Sequence, residues 1–332
     1  MTRISVLGAG AWGTALADLL ARKGHSVRIW AYEAEVVESI NSRHENALFM
    51  PGHTLAPTLR ACADPHEAVA GASVVLSASP SHVVRAVTAP LVGSIAADAI
   101  VVSATKGIEA SSLLLMHDVL AETLPGRRVV ALSGPSFALE VIEGQPTAVV
   151  AAAADQATSE AVQEDFATRR FRVYSNQDVT GVELCGALKN VIAIAAGVLE
   201  GMGLGNNPRA ALITRGLAEM TRLGLAMGAK PMTFAGLAGM GDLILTTTGA
   251  LSRNRSLGVA LAEGQKLEQY TATHRTVAEG VNTARSAVQL GERHGVELPI
   301  TQQVASILFE GKAPKQAVTE LMERALKSEQ WR

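Results

Sequence analysis

Short apolar runs alternate with helical patterns along the first half of the chain. The runs are continuously apolar instead of alternating with polar residues, which is typical of strands that helices cover on both faces. They lie at residues 4–7, 27–30, 74–78, 100–104, 129–133 and 147–151. Segments such as 13–23 and 112–124 between them have helical spacing. This order predicts a doubly wound parallel sheet.

The β pattern ends after one more run, at residues 171–175, and from about Val179 onward the apolar spacing is helical. The predicted helices lie at 181–200, 208–227, 231–239, 255–263, 278–294, 300–310 and 315–327. We therefore expect two domains. Residues 1–178 form an α/β, Rossmann-like dinucleotide-binding domain, and residues 179–332 form an all-α domain for substrate binding and catalysis.

Composition narrows the class of protein. The chain has 332 residues, 48% of them hydrophobic, and a formal net charge of −2, so no overall charge indicates a nucleic-acid or anionic membrane partner. Two cysteines, Cys62 and Cys185, argue against a disulfide framework, and no Cys/His spacing indicates a metal site. The first residues enter a strand pattern at once, with no room for a secretory signal, and the apolar run 149–154 is too short to span a bilayer. We expect a cytoplasmic protein.

A glycine motif joins the first predicted strand to the first predicted helix. Gly8, Gly10 and Gly13 fit the pattern G-x-G-x-x-G in the sequence GAGAWG. In such a motif the first glycine makes the tight turn, the second lets the backbone approach a pyrophosphate, and the third lets helix and strand pack closely. The helix N-terminus then offers N–H donors to the phosphates. A glycine turn that serves packing alone is the less favoured alternative.

The choice between NAD and NADP depends on the residues after the second strand. Glu33 lies slightly further along the chain than the acidic residue that usually contacts the ribose hydroxyls. Residues 31–34 contain no arginine that could bind a 2′-phosphate. The pattern leaves NAD or NADP open, with a slight preference for NAD. A solvated loop carboxylate is an equally good interpretation of Glu33.

Three loops follow predicted strands at the edge where open α/β sheets bind ligands. His82, in the loop 79–82, is more typical of a structural histidine than of a catalytic one. Lys106 follows the strand 100–104 and is followed by glycine, so it points either at the crevice or into solvent. The small residues of the loop 133–138 permit close backbone approach to a ligand or merely a tight turn.

The segment ELCGALKNVIAIAAG, residues 183–197, places a lysine and an asparagine inside an apolar helix. Helical spacing gives one apolar stripe, formed by Leu184, Leu188, Val191, Ala195 and Val198. Lys189 and Asn190 lie off this stripe, near the small residues Gly186, Ala193 and Gly197, which we expect to leave volume for a ligand. A lysine that extends from an amphipathic helix to water is the alternative.

Two further segments carry polar chemistry. Asp242 lies between a glycine-rich stretch and an apolar run, where it either caps a helix or orients a lysine. The sequence Ser-Arg-Asn-Arg at 252–255 places guanidinium, hydroxyl and amide groups together, which suits a phosphate. A charged exposed loop is the alternative for this segment.

Nine segments in order together resemble the bacterial-type NAD(P)-dependent glycerol-3-phosphate dehydrogenase family. They are GAGAWGTALA (8–17), NSRHEN with MPG (41–52), SPSH (79–82), TKGIE (105–109), SGPSFA (133–138), ELCGALKNVIAIAAG (183–197), GDLILT (241–246), SRNR (252–255) and VAEGVNTA (277–284). The resemblance spans nearly the whole chain. It implies interconversion of sn-glycerol 3-phosphate and dihydroxyacetone phosphate with NAD or NADP, which supplies glycerol 3-phosphate for phospholipid synthesis.

The resemblance also implies roles for individual residues. The general base of the family matches Lys189, with Asn190 beside it, and Lys106 and Asp242 complete the catalytic group. Substrate contacts match Lys106, Gly134, Ser136, Asp242, Ser252, Arg253 and Asn254. Besides the glycine motif, cofactor contacts match Ala11, Trp12, Tyr32, Lys106, Ala138, Arg253, Val277 and Glu279. A homodimer is compatible with this reading.

The sequence departs from the family pattern at three positions. Ala11 stands where many members carry serine, so a side-chain contact to phosphate is lost. Tyr32 stands where others carry histidine or arginine, which weakens an inference of NADP preference. Thr247 replaces a frequent cysteine, with no consequence that the sequence reveals.

The implied chemistry asks Lys189 to donate a proton during reduction and to accept one during oxidation. A free lysine has a pKa of about 10.4, so burial and a nearby cation must lower the pKa of Lys189. Lys106 is the candidate cation, whereas a direct pair with Asp242 would oppose the shift. A related 3-hydroxyacid-type dehydrogenase and a non-catalytic dinucleotide-sensing protein remain the alternative functions.

Overall fold

The computed structural model describes residues 1–273, 278–326 and 328–329. Eight strands form one sheet in the order β3-β2-β1-β4-β5-β6-β7-β8. The strands are β1 (Arg3–Leu7), β2 (Ser26–Trp30), β3 (Arg60–Cys62), β4 (Val74–Ser77), β5 (Ile100–Ser103), β6 (Arg128–Ser133), β7 (Thr147–Ala153) and β8 (Phe171–Asn176). All seven predicted strands are present, and β3 is the additional one.

The sheet is not parallel throughout, so that part of the prediction is wrong. Strand β7 pairs antiparallel with β6, in a register that places Ser133 opposite Val150, and β8 then runs parallel to β7. The chain turns back at the edge where β6 ends, through residues 134–146, instead of crossing over to the other edge. Only a crossover would have made β6 and β7 parallel.

Sixteen α-helices lie within the described residues. In the first half they are α1 (Ala11–Arg22), α2 (Ala34–Arg43), α3 (Pro65–Val69), α4 (Val84–Thr88), α5 (Met116–Thr123), α6 (Ala138–Ile142) and α7 (Gln156–Phe166). In the second half they are α8 (Val179–Gly201), α9 (Asn206–Ala226), α10 (Pro231–Phe234), α11 (Asp242–Thr248), α12 (Arg253–Ala262), α13 (Leu267–Thr273), α14 (Glu279–Arg293), α15 (Pro299–Phe309) and α16 (Pro314–Met322).

Three predicted helices differ from the observed ones. The helix expected from residue 112 begins at Met116, because Leu113 has a φ of 63° and Leu115 pairs with Ile108 in a β-bridge. The helix expected at 231–239 ends at Phe234, and a π-helical turn, Leu237–Gly241, follows it. The last helix ends at Met322, whereas the prediction extended it to Lys327, which lies outside the described residues.

Helix α8 is buried on every side. All residues from Gly181 to Leu199 are buried, so the single apolar stripe expected from spacing is wrong. Helices from the second half enclose α8, and its remaining face covers Ala131 of β6 and Ala152 of β7. The other two clusters of buried residues lie on opposite faces of the sheet, as a doubly wound fold requires.

Small residues let α8 and α12 cross at very short range. A Cβ atom at Gly197 would lie 1.9 Å from the carbonyl oxygen of Arg255, and one at Gly258 would lie 2.0 Å from that of Ile194. The backbone of α12 therefore fills the space beside Gly197. The expectation that Gly197 leaves volume for a ligand is wrong.

One described helix, α8, has the length and the apolar composition to cross a membrane, with a mean hydropathy of 1.7. However, 94% of that window is buried inside the protein, as in the core helix of a folded domain. A second candidate exists only as a pair of segments, Pro231–Thr248 with Arg253–Ala262, bent by 47°.

Candidate active site

The glycine loop between β1 and α1 has the geometry that a dinucleotide requires. Gly8 has a φ of +112°, and a Cβ atom there would lie 2.9 Å from the backbone nitrogen of Ser79. A Cβ atom at Gly13 would lie 2.0 Å from the carbonyl oxygen of Gly8, so only glycine lets the helix start pack on the turn. No atom of the described residues approaches the Cβ position of Gly10 within 4 Å, which leaves the loop open where a pyrophosphate would lie.

Other residues hold this loop in place and border the open side. The Asn46 amide donates to the carbonyl oxygen of Ala9 at 2.8 Å and to the Thr14 hydroxyl at 2.8 Å. Ala11 and Trp12 begin α1, where backbone N–H groups have no partner within the helix. The Trp12 indole N–H is buried and has no acceptor in the described part of the chain. These donors fit a bound dinucleotide.

The residues after β2 do not decide between NAD and NADP, which differ by a 2′-phosphate. Tyr32 is 85% exposed, and Glu33 precedes α2 without a side-chain capping bond. Neither residue supplies a cation for a 2′-phosphate. The geometry therefore adds nothing to the slight preference for NAD.

A cluster of three charged side chains lies where the sheet meets the helical half. The Asp242 carboxylate, at the start of α11, accepts from Lys189 Nζ of α8 at 2.6 Å and from Lys106 Nζ at 2.7 Å. Each lysine uses a different carboxylate oxygen. The Thr246 hydroxyl, one turn after Asp242, accepts a second hydrogen bond from Lys189 at 2.7 Å. Asp242 thus orients both lysines, and it does not cap its own helix.

Burial governs the protonation of Lys189, which is 6% exposed. Loss of water on burial is the largest effect on the pKa of Lys189; the Asp242 carboxylate opposes this effect and the Lys106 charge adds to it, so that the pKa of Lys189 is lowered to about 7. The alternative of a lysine that reaches solvent is therefore excluded. Ammonium and neutral amine are both populated near neutral pH, which is the condition for a group that both donates and accepts a proton.

The loop after β6 borders this cluster. The Gly134 carbonyl oxygen accepts from Lys106 Nζ at 3.1 Å and from the Ser136 hydroxyl at 2.9 Å. Gly134 has a φ of +140°, and a Cβ atom there would lie 2.9 Å from Cα of Val149. Ala138 begins α6, which packs against α1 of the glycine loop. The loop therefore joins the cofactor side to the lysine cluster.

A second polar group joins three helices beside Lys189. The Asn254 amide donates to Asn190 Oδ1 at 3.0 Å, and its oxygen accepts from the backbone N–H of Gly280 at 3.0 Å. Asn190 in turn donates to the carbonyl oxygen of Gly186, one turn earlier in α8, at 3.3 Å. Asn190 and Asn254 are therefore both buried and tie α8, α12 and the start of α14 together.

The residues of the Ser-Arg-Asn-Arg segment separate by environment. The Ser252 hydroxyl caps α12 by accepting from the Arg255 backbone N–H at 3.3 Å. Arg255 forms an ion pair with Glu200 at 2.5 Å, so its guanidinium is committed to the fold. Arg253 is exposed, and within the described residues it makes no hydrogen bond or ion pair. Arg253 is thus the guanidinium of this segment that remains free for a ligand.

Glu279 connects the helical half to the sheet edge. Its carboxylate accepts from the Ser81 hydroxyl at 2.7 Å and from the Ser81 backbone N–H at 3.3 Å. His82, which follows Ser81, is exposed, so it does not have the environment of a buried acid or base. Val277, the other expected cofactor contact of this segment, lies outside the described residues.

Sequence reasoning missed Thr246 and Ser81. Thr246 lies four residues after Asp242, so helical spacing alone places both on one face of α11. Ser81 stands in the loop that drew attention only for its histidine. The described residues contain no group of His, Cys, Asp and Glu that could hold a metal ion.

Comparison with known proteins agrees with this geometry. Family models described as the NAD-dependent glycerol-3-phosphate dehydrogenase N-terminus and C-terminus match residues 3–159 and 178–319. A glycerol-3-phosphate dehydrogenase [NAD(P)+] of Geobacter sulfurreducens is 56% identical over 99% of both chains. One of Koribacter versatilis is 53% identical over 100% of both.

A solved structure shares the whole fold. The crystal structure of glycerol-3-phosphate dehydrogenase from Coxiella burnetii superposes with a TM-score of 0.94 at 42% identity, covering 97% of this chain and 99% of that one. Both halves of the chain thus match one family. The chain belongs to the NAD-dependent glycerol-3-phosphate dehydrogenase family.

Proposed function

We propose that this protein is a cytoplasmic NAD(P)-dependent sn-glycerol-3-phosphate dehydrogenase. It interconverts dihydroxyacetone phosphate and sn-glycerol 3-phosphate and supplies the latter for phospholipid synthesis. The observation that carries the proposal is the buried Lys189 ammonium, held 2.6 Å from Asp242 between the glycine-loop edge of the sheet and the helical half. The division of labour is a dinucleotide-binding part, residues 1–178, and a substrate and catalytic part, residues 179–332.

The glycine loop and its surroundings would hold the cofactor. A bound nicotinamide dinucleotide supplies or accepts the hydride when the substrate carbon is reduced or oxidised. The residues assigned to hold it are Gly8, Gly10, Ala11, Trp12, Gly13, Tyr32, Lys106, Ala138, Arg253, Val277 and Glu279. Two observations support this assignment: the open side of Gly10, and the Trp12 N–H, which finds no acceptor among the residues that the structure describes.

Lys189 moves the proton. In reduction its ammonium stabilises the negative charge that grows on the C2 oxygen of the substrate and donates the proton there. In oxidation the neutral amine accepts the C2 hydroxyl proton. Asp242 and Thr246 fix the direction of Nζ, while Lys106 adds a positive charge that favours the neutral amine.

Arg253 and Asn254 are assigned to the substrate phosphate, together with Gly134, Ser136 and Ser252. Arg253 supports this role because its guanidinium is exposed, while the neighbouring Arg255 is held by Glu200. Binding energy from the phosphate would position C2 beside Lys189. Asn190 is assigned to hold Asn254 in place.

The decisive experiment is an assay of NADH and NADPH oxidation with dihydroxyacetone phosphate and, in parallel, with 3-oxo acids. We expect turnover with dihydroxyacetone phosphate and none with the 3-oxo acids. Preference for the acids would favour the 3-hydroxyacid-type dehydrogenase. Cofactor binding without turnover of any substrate would favour a dinucleotide-sensing protein. Comparison of the rates with NADH and with NADPH gives the cofactor preference.

A further inference from the structure

A loop between α2 and β3 closes on itself beside the glycine loop. It comprises residues 44–56 and begins within the segment NSRHEN. The Leu55 backbone N–H donates to the His44 carbonyl oxygen at 2.7 Å, and Glu45 and Thr54 form a β-bridge. His44 has a φ of 52°, which turns the chain away from α2. The two ends of the loop are therefore held together.

Two residues of α1 anchor the second half of this loop. Arg22 donates to the Thr54 carbonyl oxygen at 2.6 Å. Asp18, which is buried, accepts from the Ala56 backbone N–H at 2.6 Å and from Arg22 Nε at 2.7 Å. The loop is thus fixed on the helix into which the glycine motif leads.

The first half of the loop reaches the glycine motif through the side chain of Asn46, which is fully buried. Its Nδ2 donates to the Ala9 carbonyl oxygen at 2.8 Å and to the Thr14 hydroxyl at 2.8 Å. Its Oδ1 accepts from the Phe49 backbone N–H at 3.1 Å. The Thr14 hydroxyl in turn donates to the Ala9 carbonyl oxygen at 3.1 Å. Two donors therefore hold this one carbonyl.

These bonds set the direction of the next backbone N–H group, that of Gly10. The peptide bond between Ala9 and Gly10 is trans and planar, so its C=O and its N–H point in opposite directions. Because Asn46 and Thr14 hold the carbonyl, the Gly10 N–H faces away from them, and it has no acceptor in the part of the chain that the structure describes. The backbone is open there, since no described atom lies within 4 Å of the Gly10 Cβ position. A fixed, free N–H beside a helix N-terminus suits a phosphate oxygen.

We propose that Asn46 is a positioning residue for the cofactor. Its amide holds the peptide between Ala9 and Gly10 so that the Gly10 N–H donates to the pyrophosphate of the dinucleotide. Asn46 does not touch the cofactor itself, because it is buried and both of its amide hydrogens are engaged. A donor that is fixed before binding needs no further ordering, which favours affinity. This role rests on the proposed function, since it requires a bound dinucleotide.

The test compares two ligands that differ by the pyrophosphate, ADP-ribose and adenosine. Fluorescence titration of the full chain gives the Kd of NADH and of NADPH, and displacement of the bound cofactor gives the Kd of each ligand. Asn46→Ala deletes the amide that holds Ala9. The control Asn41→Ala deletes an amide of α2 that also binds backbone, since Asn41 donates to the Ala61 carbonyl oxygen at 2.9 Å and accepts from the Ala61 N–H at 2.9 Å.

We expect Asn46→Ala to weaken binding of the cofactor and of ADP-ribose about tenfold, and binding of adenosine by less than about twofold. Asn41→Ala should leave every Kd within about twofold of wild type, because its amide does not contact the glycine loop. Equal weakening of ADP-ribose and adenosine in Asn46→Ala would reveal a general loosening of the fold and overturn the proposal. Unchanged binding of ADP-ribose would overturn it as well.

Thr14→Val replaces Asn46→Ala if that variant does not fold, because it removes the other donor to the Ala9 carbonyl with little change in shape. It should weaken ADP-ribose severalfold and leave adenosine unchanged, and equal effects on the two ligands would again overturn the proposal. A wild-type chain that binds neither NADH nor NADPH would overturn the proposed function together with this role. Equal cofactor binding by wild type and Asn46→Ala would overturn this role alone.

Discussion

At the scale of single residues, the charged form of Lys189 is stabilised by protein groups instead of water. Its Nζ has two acceptors, Asp242 Oδ1 and the Thr246 hydroxyl, on consecutive turns of α11. Removal of either acceptor would leave a buried charge less well stabilised. The position and the protonation of Lys189 therefore depend on α11 as much as on α8.

Thr246→Val should lower the pKa of Lys189 further, because it deletes a hydrogen bond to the charged form with little change in shape. A hydrogen bond to a charged group contributes ~1.5 kcal/mol, which corresponds to about one pH unit. The limb of the kcat/KM pH profile that reports the ionisation of Lys189 should therefore shift to lower pH by about one unit.

Thr247→Val is the matched control for this prediction. Its hydroxyl donates to the Leu243 carbonyl oxygen at 2.7 Å and does not touch Lys189. Coincident pH profiles for Thr246→Val and Thr247→Val would contradict a role for Thr246 in the ionisation of Lys189.

Arg253→Ala and Arg255→Ala both delete a guanidinium from the same segment, but they should affect different properties. Arg253→Ala should change substrate binding, and Arg255→Ala should change stability. Arg253 is exposed, so its loss should raise the KM for dihydroxyacetone phosphate about tenfold or more, with the Tm near wild type. Arg255 is paired with Glu200, so its loss should mainly lower the Tm. Parallel kinetics and thermal unfolding check both, and an unchanged KM in Arg253→Ala would argue against a phosphate contact.

The candidate site was accessible from sequence where chemistry was local. Lys189, Asn190 and Asp242 stand out because polar groups interrupt apolar runs, and the structure joins Lys189 to Asp242 and Asn190 to Asn254. The sharing of Asp242 by two lysines depends on the docking of three separate segments. No spacing within any one of them contains that information.

At the scale of elements, the crossing of α8 and α12 connects packing to the site. Gly197 and Gly258 let the two backbones touch, and α12 begins with Arg253 and Asn254. Any side chain at the crossing must push α12 away, and Arg253 and Asn254, which we propose as phosphate contacts, move with it.

Gly258→Ala should therefore destabilise the protein by ~3 kcal/mol or more and raise the KM for dihydroxyacetone phosphate, because the new Cβ atom would clash with the Ile194 carbonyl oxygen. Thermal unfolding and kinetics measure the two effects. Gly93→Ala serves as control, since its Cβ position is open to solvent. Equal Tm values for the two variants would contradict the close crossing.

The elements that sequence reasoning missed share physical causes. Strand β3 has three residues, too few for any period to appear. The direction of β7 depends on where the loop after β6 returns, because a buried strand is apolar in either direction. Helix α8 was expected to have one apolar face because a helical projection gives small residues such as Gly186 and Gly197 neither apolar nor polar character. In the structure these glycines are positions where neighbouring segments pack closely against α8.

At the scale of the whole molecule, Glu219 links stability to pH. Its carboxylate, buried on α9, accepts from the Ile300 backbone N–H at 2.6 Å and from the Thr301 hydroxyl at 3.2 Å at the start of α15. Burial outweighs these bonds and raises the pKa of Glu219 to about 7. The folded protein thus retains a proton that an unfolded glutamate releases near pH 4.5.

The contribution of Glu219 to stability is complete below about pH 4.5 and is lost as pH rises through about 7. Glu219→Gln does not titrate, so its Tm relative to wild type should rise by about 5 °C between pH 5 and pH 8. Glu310→Gln, at an exposed position, should show no such change. A Tm difference for Glu219→Gln that is constant with pH would contradict the raised pKa.

The central claim is that Lys189 moves the proton in the reduction of dihydroxyacetone phosphate. The most direct measurement is kcat of Lys189→Ala, compared with the exposed control Lys266→Ala, with NADH binding followed by fluorescence in both. We expect a loss of kcat of about a thousandfold in Lys189→Ala alone, with NADH affinity unchanged. Turnover of Lys189→Ala within tenfold of the control would contradict it.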